Sequence, residues 1–139
     1  MAERVRVVIV DDSESTRAML REALDLDDTI EVVGEAGGGR EAVRLAAEAR
    51  PDVILMDIRM DDVDGIEATR VISSARPQAR VIALTWSDDP MTARAMLEAG
   101  AVGYVVKGGT IEELIEAIRR AASGTVSLDP RVRPLVSPT

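Results

Sequence analysis

Five side chains able to do chemistry fall at the ends of four strand-like apolar runs. Asp11 and Asp12 follow residues 5–10, Asp57 follows 53–56, Thr85 closes 81–84, and Lys107 closes 102–106. Lys107 is the one lysine among seventeen basic residues; the other sixteen are arginines. An ammonium is a compact charge on a flexible stem that can reach a single carboxylate or phosphate oxygen in a crowded pocket, where a guanidinium fork is too wide. Three carboxylates gathered in one crevice repel one another, so either one takes a proton or a hard divalent cation neutralises them. Oxygen-only ligands favour Mg²⁺ or Mn²⁺. Such an ion, held by a few carboxylates, a carbonyl and waters, leaves room for phosphoryl oxygens, and Asp57 is then the candidate nucleophile that forms an acyl phosphate.

For these residues to meet, the strand ends must lie side by side. Strand-like runs at 4–10, 30–35, 53–57, 80–85 and 102–107 alternate with helical patterns, which is the sequence form of repeated βαβ units. Val-Val-Ile-Val and Val-Ile-Leu-Met are continuously apolar, as strands covered on both faces are; Ile-Glu-Val-Val-Gly-Glu has interleaved polar residues and belongs at an edge. In such sheets crossovers are right-handed, and ligands bind outside the carboxyl ends of the strands, where all five residues fall.

The first helix is expected from a Ser13 or Ser15 cap to near Asp27, the second over 39–49 and the third over 66–75. The fourth spans 90–99 before Gly100. The fifth opens at Thr110 with Glu113 three residues on and buries Ile111, Leu114, Ile115, Ile118 and Ala122. After Ser123 the pattern dissolves among Pro130, Pro134 and Pro138, so residues 1–122 are expected to form the domain and 123–139 a linker or tail.

Composition narrows the function. At 139 residues with 46% hydrophobic content, the chain is expected to be one domain with a real core. Zero cysteines and zero histidines remove thiol nucleophiles, disulfides and imidazole, so any histidine chemistry has to come from a partner. A formal net charge of −8 opposes unaided nucleic-acid binding. No apolar run approaches the roughly 20 residues that cross a bilayer, and the first one runs straight into two aspartates, so a cytoplasmic location without membrane partners is expected.

Together, Asp11-Asp12, Asp57 in Met-Asp-Ile-Arg-Met, Asp64-Gly65, Thr85, and Tyr104 three before Lys107 resemble the receiver domain of bacterial two-component response regulators over about residues 4–122. Asp-Gly-Ile-Glu-Ala-Thr and Ala-Gly-Ala-Val-Gly-Tyr-Val-Val-Lys look most like the LuxR/NarL-type subfamily. The resemblance implies a flavodoxin-like (βα)5 doubly wound sheet with strand order 2-1-3-4-5. It implies that Asp57 accepts phosphate from a sensor histidine kinase. Asp12, Asp57 and the Arg59 backbone carbonyl would hold Mg²⁺ (or Mn²⁺), with Asp11 acting through water. Thr85 and Lys107 would grip the phosphoryl oxygens, and Thr85 with Tyr104 would switch the α4-β5-α5 surface. DNA would be reached only through a separate C-terminal domain, and homodimerisation is left open.

Three positions depart from the family pattern. Asp61 stands where proline is common and adds negative charge near the pocket, which would raise metal affinity or hinder a phosphodonor. Gly108 replaces the usual proline after Lys107, implying a trans bond and a looser loop, because a cis bond there costs ~3 kcal/mol. Trp86 replaces a small residue and is read as packing or as shielding of the site, with slow dephosphorylation expected. Asp61, Asp62, Asp88 and Asp89 are read as solvated loop and helix-start residues.

Other readings compete. A Mg²⁺-dependent hydrolase working through an aspartyl phosphate would want a second acid two residues after the nucleophile, where this chain has Arg59. A flavin-binding protein of the same topology would want a hydroxyl-rich phosphate loop and aromatics, but the first loop is acidic. An atypical receiver that is never phosphorylated and signals by protein contacts alone is suggested by Asp61, Trp86 and Gly108.

Overall fold

The computed structural model describes residues 4–58, 64–86 and 89–124, together with the backbone of 127–128. The elements run β1 (Val5–Val10), α1 (Glu14–Asp25), β2 (Ile30–Ala36), α2 (Gly39–Glu48), β3 (Val53–Met56), α3 (Gly65–Ala75), β4 (Arg80–Thr85), α4 (Pro90–Ala99), β5 (Gly103–Val106), α5 (Ile111–Ala122) and β6 (Ser127–Leu128). All neighbouring strands pair in parallel, and the order is β2-β1-β3-β4-β5-β6. The doubly wound 2-1-3-4-5 arrangement expected from the sequence is present, and β2 lies at an edge.

Alternate strand residues point to opposite faces, and each face is sealed by its own helices. Val8, Val10, Ile54, Met56, Val81, Ala83, Tyr104 and Val106 pack with Ala42 and Ala46 of α2, Ala68 and Ile72 of α3, and Ala93 and Met96 of α4. Val7, Ile9, Val53, Leu55, Ile82, Leu84 and Val105 pack with Leu20 and Leu24 of α1 and Leu114, Ala117, Ile118 and Ala121 of α5. Two-sided burial explains why the strands read as unbroken apolar runs, and it holds their carboxyl ends in one row.

Four of the five helices start on side-chain caps; α2 starts on Gly38 without one. Ser13 Oγ accepts the Thr16 amide at 3.2 Å, Asp64 Oδ1 the Glu67 amide at 2.8 Å, and Thr110 Oγ the Glu113 amide at 3.1 Å. Asp89 caps α4, accepting the Met91 amide through one oxygen and the Thr92 hydroxyl at 2.8 Å through the other, in keeping with its reading as a helix-start residue. The first helix ends at Asp25, two residues before the expected stop; the second ends one residue early, and the third begins one residue early, at Gly65.

The chief difference lies in the expected tail. Ser127 and Leu128 pair with Gly103 and Tyr104 of β5, adding a sixth parallel strand. The edge of β5, part of the α4-β5-α5 surface that the resemblance implies would switch, therefore carries the chain's own backbone. Among the described residues, no helix is long and apolar enough to cross a membrane.

Candidate functional site

β1, β3, β4 and β5 end level with one another at a cavity of about 400 Å³ whose lining includes Asp11, Asp12, Asp57, Thr85, Trp86 and Lys107. The sheet thus brings these six predicted residues together, while Tyr104 lies in the core on the α4 side of the sheet. Asp11, Asp12 and Asp57 each offer a carboxylate oxygen, all within 4.8 Å of one another. Lys107 Nζ donates to Asp11 Oδ2 at 2.7 Å and lies 3.7 Å from Asp57 Oδ1, with the Lys107 side chain only 10% exposed. Arg59, whose carbonyl completes the expected ligand set, lies outside the described residues, as do Asp61, Asp62 and Asp88.

Asp57 is held above the ordinary carboxylate range. Burial is the main cause, opposed by the Lys107 ammonium and reinforced by the negative charges of Asp11 and Asp12. A single ammonium shared among three acids leaves the cluster short of positive charge. An all-oxygen donor set with that deficit fits a small hard dication such as Mg²⁺ or Mn²⁺.

The loops around the cluster are tightly specified. The Asp57 amide donates to the Val10 carbonyl at 2.9 Å, and the Asp11 amide to the Ala36 carbonyl at 3.0 Å. Asp11 Oδ1 also accepts the Ser13 amide at 2.9 Å, which turns the chain into α1. Gly65 explains the Asp64-Gly65 pair: its amide donates to the Ile58 carbonyl at 2.7 Å, and a Cβ there would sit 2.2 Å from the Asp57 carbonyl oxygen. Only glycine lets the start of α3 approach the backbone of Asp57 this closely.

Thr85 is buried, and its carbonyl accepts the Lys107 amide at 2.5 Å. Tyr104 is fully buried on the α4 side of the sheet and pairs in register with Ala83, one strand over from Thr85. The Lys107–Gly108 peptide is trans, as expected, yet Lys107 is firmly aimed by its bond to Asp11. Gly108 has φ +96°, and its Cα faces the Trp86 ring, with an added Cβ falling 3.4 Å from Cζ3. Trp86 is 74% exposed, so it is no core residue; its ring lies 5.9 Å from Lys107 Nζ, at the rim of the cavity. Sequence reasoning missed Arg17, which reaches the Asp11 backbone from α1, and Glu35, which reaches Arg17 from β2. Their only sequence signal is polarity at positions next to apolar ones.

A parallel doubly wound sheet with an acidic cluster and a lysine at its strand ends defines the class of receiver modules. The chain belongs to the response regulator receiver domain family, whose profile matches residues 7–119. It is 42% identical over 128 residues to the transcriptional regulatory protein LiaR of Bacillus subtilis, covering 92% of this chain and 61% of that protein. It is 38% identical over 129 residues to the response regulator GacA of Pseudomonas viridiflava, covering 92% of this chain and 60% of that one. The chain thus spans about three fifths of the length of these curated relatives. A LuxR-family two-component response regulator from Aurantimonas sp. SI85-9A1 superposes with a TM-score of 0.91 at 33% identity, covering 96% of each chain. The receiver domain of the putative response regulator NarL from Mycobacterium tuberculosis gives 0.84 at 35%, covering 88% of this chain and 98% of that one. These similarities place the chain in the LuxR/NarL-type group of receivers.

Proposed function

We propose that this receiver is a phosphorylation switch in which Asp57 accepts a phosphoryl group from a sensor histidine kinase. The observation that carries the reading is the convergence of three carboxylates within 4.8 Å around one half-buried lysine. An Asp57 carboxylate oxygen attacks phosphorus in line, the phosphorus–nitrogen bond of the donor's phosphohistidine breaks, and the imidazole leaves with the electron pair. Asp11, Asp12 and Asp57 would hold Mg²⁺ or Mn²⁺, with the Arg59 carbonyl as the further ligand that the family resemblance implies. The dication supplies screening of the charge on the transferring oxygens.

The chain's own groups do the rest. Lys107 sits within reach of Asp57 and can turn from Asp11 to a phosphoryl oxygen, while the Thr85 hydroxyl at the end of β4 takes another. A phosphoryl group adds about −1.5 to −2 charges, enough to draw Thr85 inward and fix Tyr104 in the buried seat it occupies. Both residues lie on the α4 side, so the change is read on α4, β5 and α5; with β6 paired to β5, it also reaches the strand that leads out of the domain. Output through transcription would need a C-terminal DNA-binding domain, consistent with the share of LiaR and GacA that this chain spans.

Beryllofluoride with Mg²⁺ tests the reading, using Trp86, the single tryptophan, as reporter. The expected result is a saturable fluorescence change that needs both reagents and disappears in Asp57→Asn. No change with both present favours an atypical receiver that works by protein contacts alone.

A further inference from the structure

We propose that Arg17 is a positioning residue for the cation site, acting through the backbone of Asp11 and held in place by Glu35; the inference rests on the reading of Asp11, Asp12 and Asp57 as that site. Arg17 Nη1 donates to the Asp11 carbonyl oxygen at 2.6 Å, and Nε to Glu35 Oε1 at 3.3 Å. The other Glu35 oxygen accepts from Arg21, one helical turn on. The Arg17 and Glu35 side chains are only 18% and 26% exposed, so the contact is shielded from water and salt far better than a surface pair.

The arrangement depends on an irregularity in β2. Val7 pairs with Val32 but Val8 pairs with Gly34, so β2 carries one extra residue at this point. A one-residue shift exchanges the two faces of a strand. Ile30 and Val32 pack on the α1/α5 side, whereas Ala36 packs on the α2/α3/α4 side. Glu35 is thereby turned toward α1, beside Ile9, where Arg17 and Arg21 meet it. Without the bulge, Glu35 would face away from α1.

The consequence falls on the cluster. The β1–α1 loop presents the carboxylates of Asp11 and Asp12, the Asp11 carbonyl and the Ser13 hydroxyl, which caps α1. Arg17 occupies the Asp11 carbonyl, so the loop is pinned with that carbonyl tied to α1 and the two carboxylates left to the cavity. Groups that orient metal ligands from behind commonly cost about 10–100-fold in metal affinity when removed.

Mg²⁺ titration of the whole chain, followed by Trp86 fluorescence and fitted on folded protein, separates the outcomes. Arg17→Gln should weaken Mg²⁺ binding about tenfold, and the initial rate of phosphorylation by acetyl phosphate should return to the wild-type value at saturating Mg²⁺. Glu35→Gln should shift the Mg²⁺ dissociation constant in the same direction, and it carries the test if Arg17→Gln does not fold. Arg21→Gln, which breaks an ion pair to the same glutamate without touching Asp11, should leave that constant unchanged. An Mg²⁺ affinity in Arg17→Gln or Glu35→Gln equal to that of Arg21→Gln would overturn the role of Arg17 alone. Failure of the wild-type chain to bind Mg²⁺ would overturn the reading of the site itself, and the role of Arg17 with it.

Discussion

Adding one methyl group at Gly65 should disable the site without touching an acid. An ideal Cβ at this position lies 2.2 Å from the Asp57 carbonyl oxygen and 2.7 Å from the Ile58 Cα. Ordinary contact begins near 3.4 Å, so the Asp57–Ile58 backbone and the start of α3 must separate by roughly 1 Å, and both obstacles are backbone atoms with no rotamer to give way. Overpacking of this kind costs about 1–3 kcal/mol. A misplacement of about 1 Å at the reacting atom costs on the order of 100-fold in rate. Urea unfolding would give the stability of the variant against wild type. Initial rates of phosphorylation by acetyl phosphate, taken at a temperature where circular dichroism shows Gly65→Ala folded, would give the effect on the site. A Gly65→Ala protein with wild-type stability and a rate within twofold of wild type would refute the argument that close backbone approach fixes Asp57.

Three further outcomes follow from the same geometry. Lys107→Gln leaves the buried Asp11 and the half-buried Asp57 without their cation, which should cost about 3 kcal/mol in denaturant unfolding; Mg²⁺ should restore part of that stability, and a variant as stable as wild type without metal contradicts the pairing. Asp57 is raised above its unfolded pKa, so its contribution to stability is fully present below that value, about 3.9, and is lost as pH rises through the folded value. Asp57→Asn should therefore match wild type in acid and become the more stable protein as pH rises to neutrality, a gap readable by thermal unfolding at a series of pH values and absent if Asp57 titrates normally. Trp86→Ala removes the indole at the rim and should speed loss of the phosphoryl group, measured by intact mass against time; an unchanged half-life would remove the shielding role.

The strand ends were legible because burial on both faces turns central strands into unbroken apolar runs, and each such run stops where the chain meets water. Asp11, Asp57, Thr85 and Lys107 could be placed together on that ground alone. β6 was not legible: two residues between Gly124 and three prolines carry no period, and only the exposed edge of β5 makes them a strand. Sequence alone makes Gly108 look like slack in the lysine loop, whereas the structure gives it a positive-φ turn with Trp86 beside it, and Lys107 is aimed by Asp11. The Arg17–Glu35 contact was hidden because the bulge in β2 reverses the face on which Glu35 falls, and no alternation pattern shows a bulge that leaves both faces partly apolar.

Intact mass after incubation with acetyl phosphate, with and without Mg²⁺, tests most directly the claim that this acid cluster takes a phosphoryl group on Asp57. The expected result is a gain of about 80 Da, the mass of one phosphoryl group, that requires Mg²⁺ and is missing from Asp57→Asn. An adduct that persists in Asp57→Asn, or none in the folded wild-type protein at saturating Mg²⁺, would contradict it.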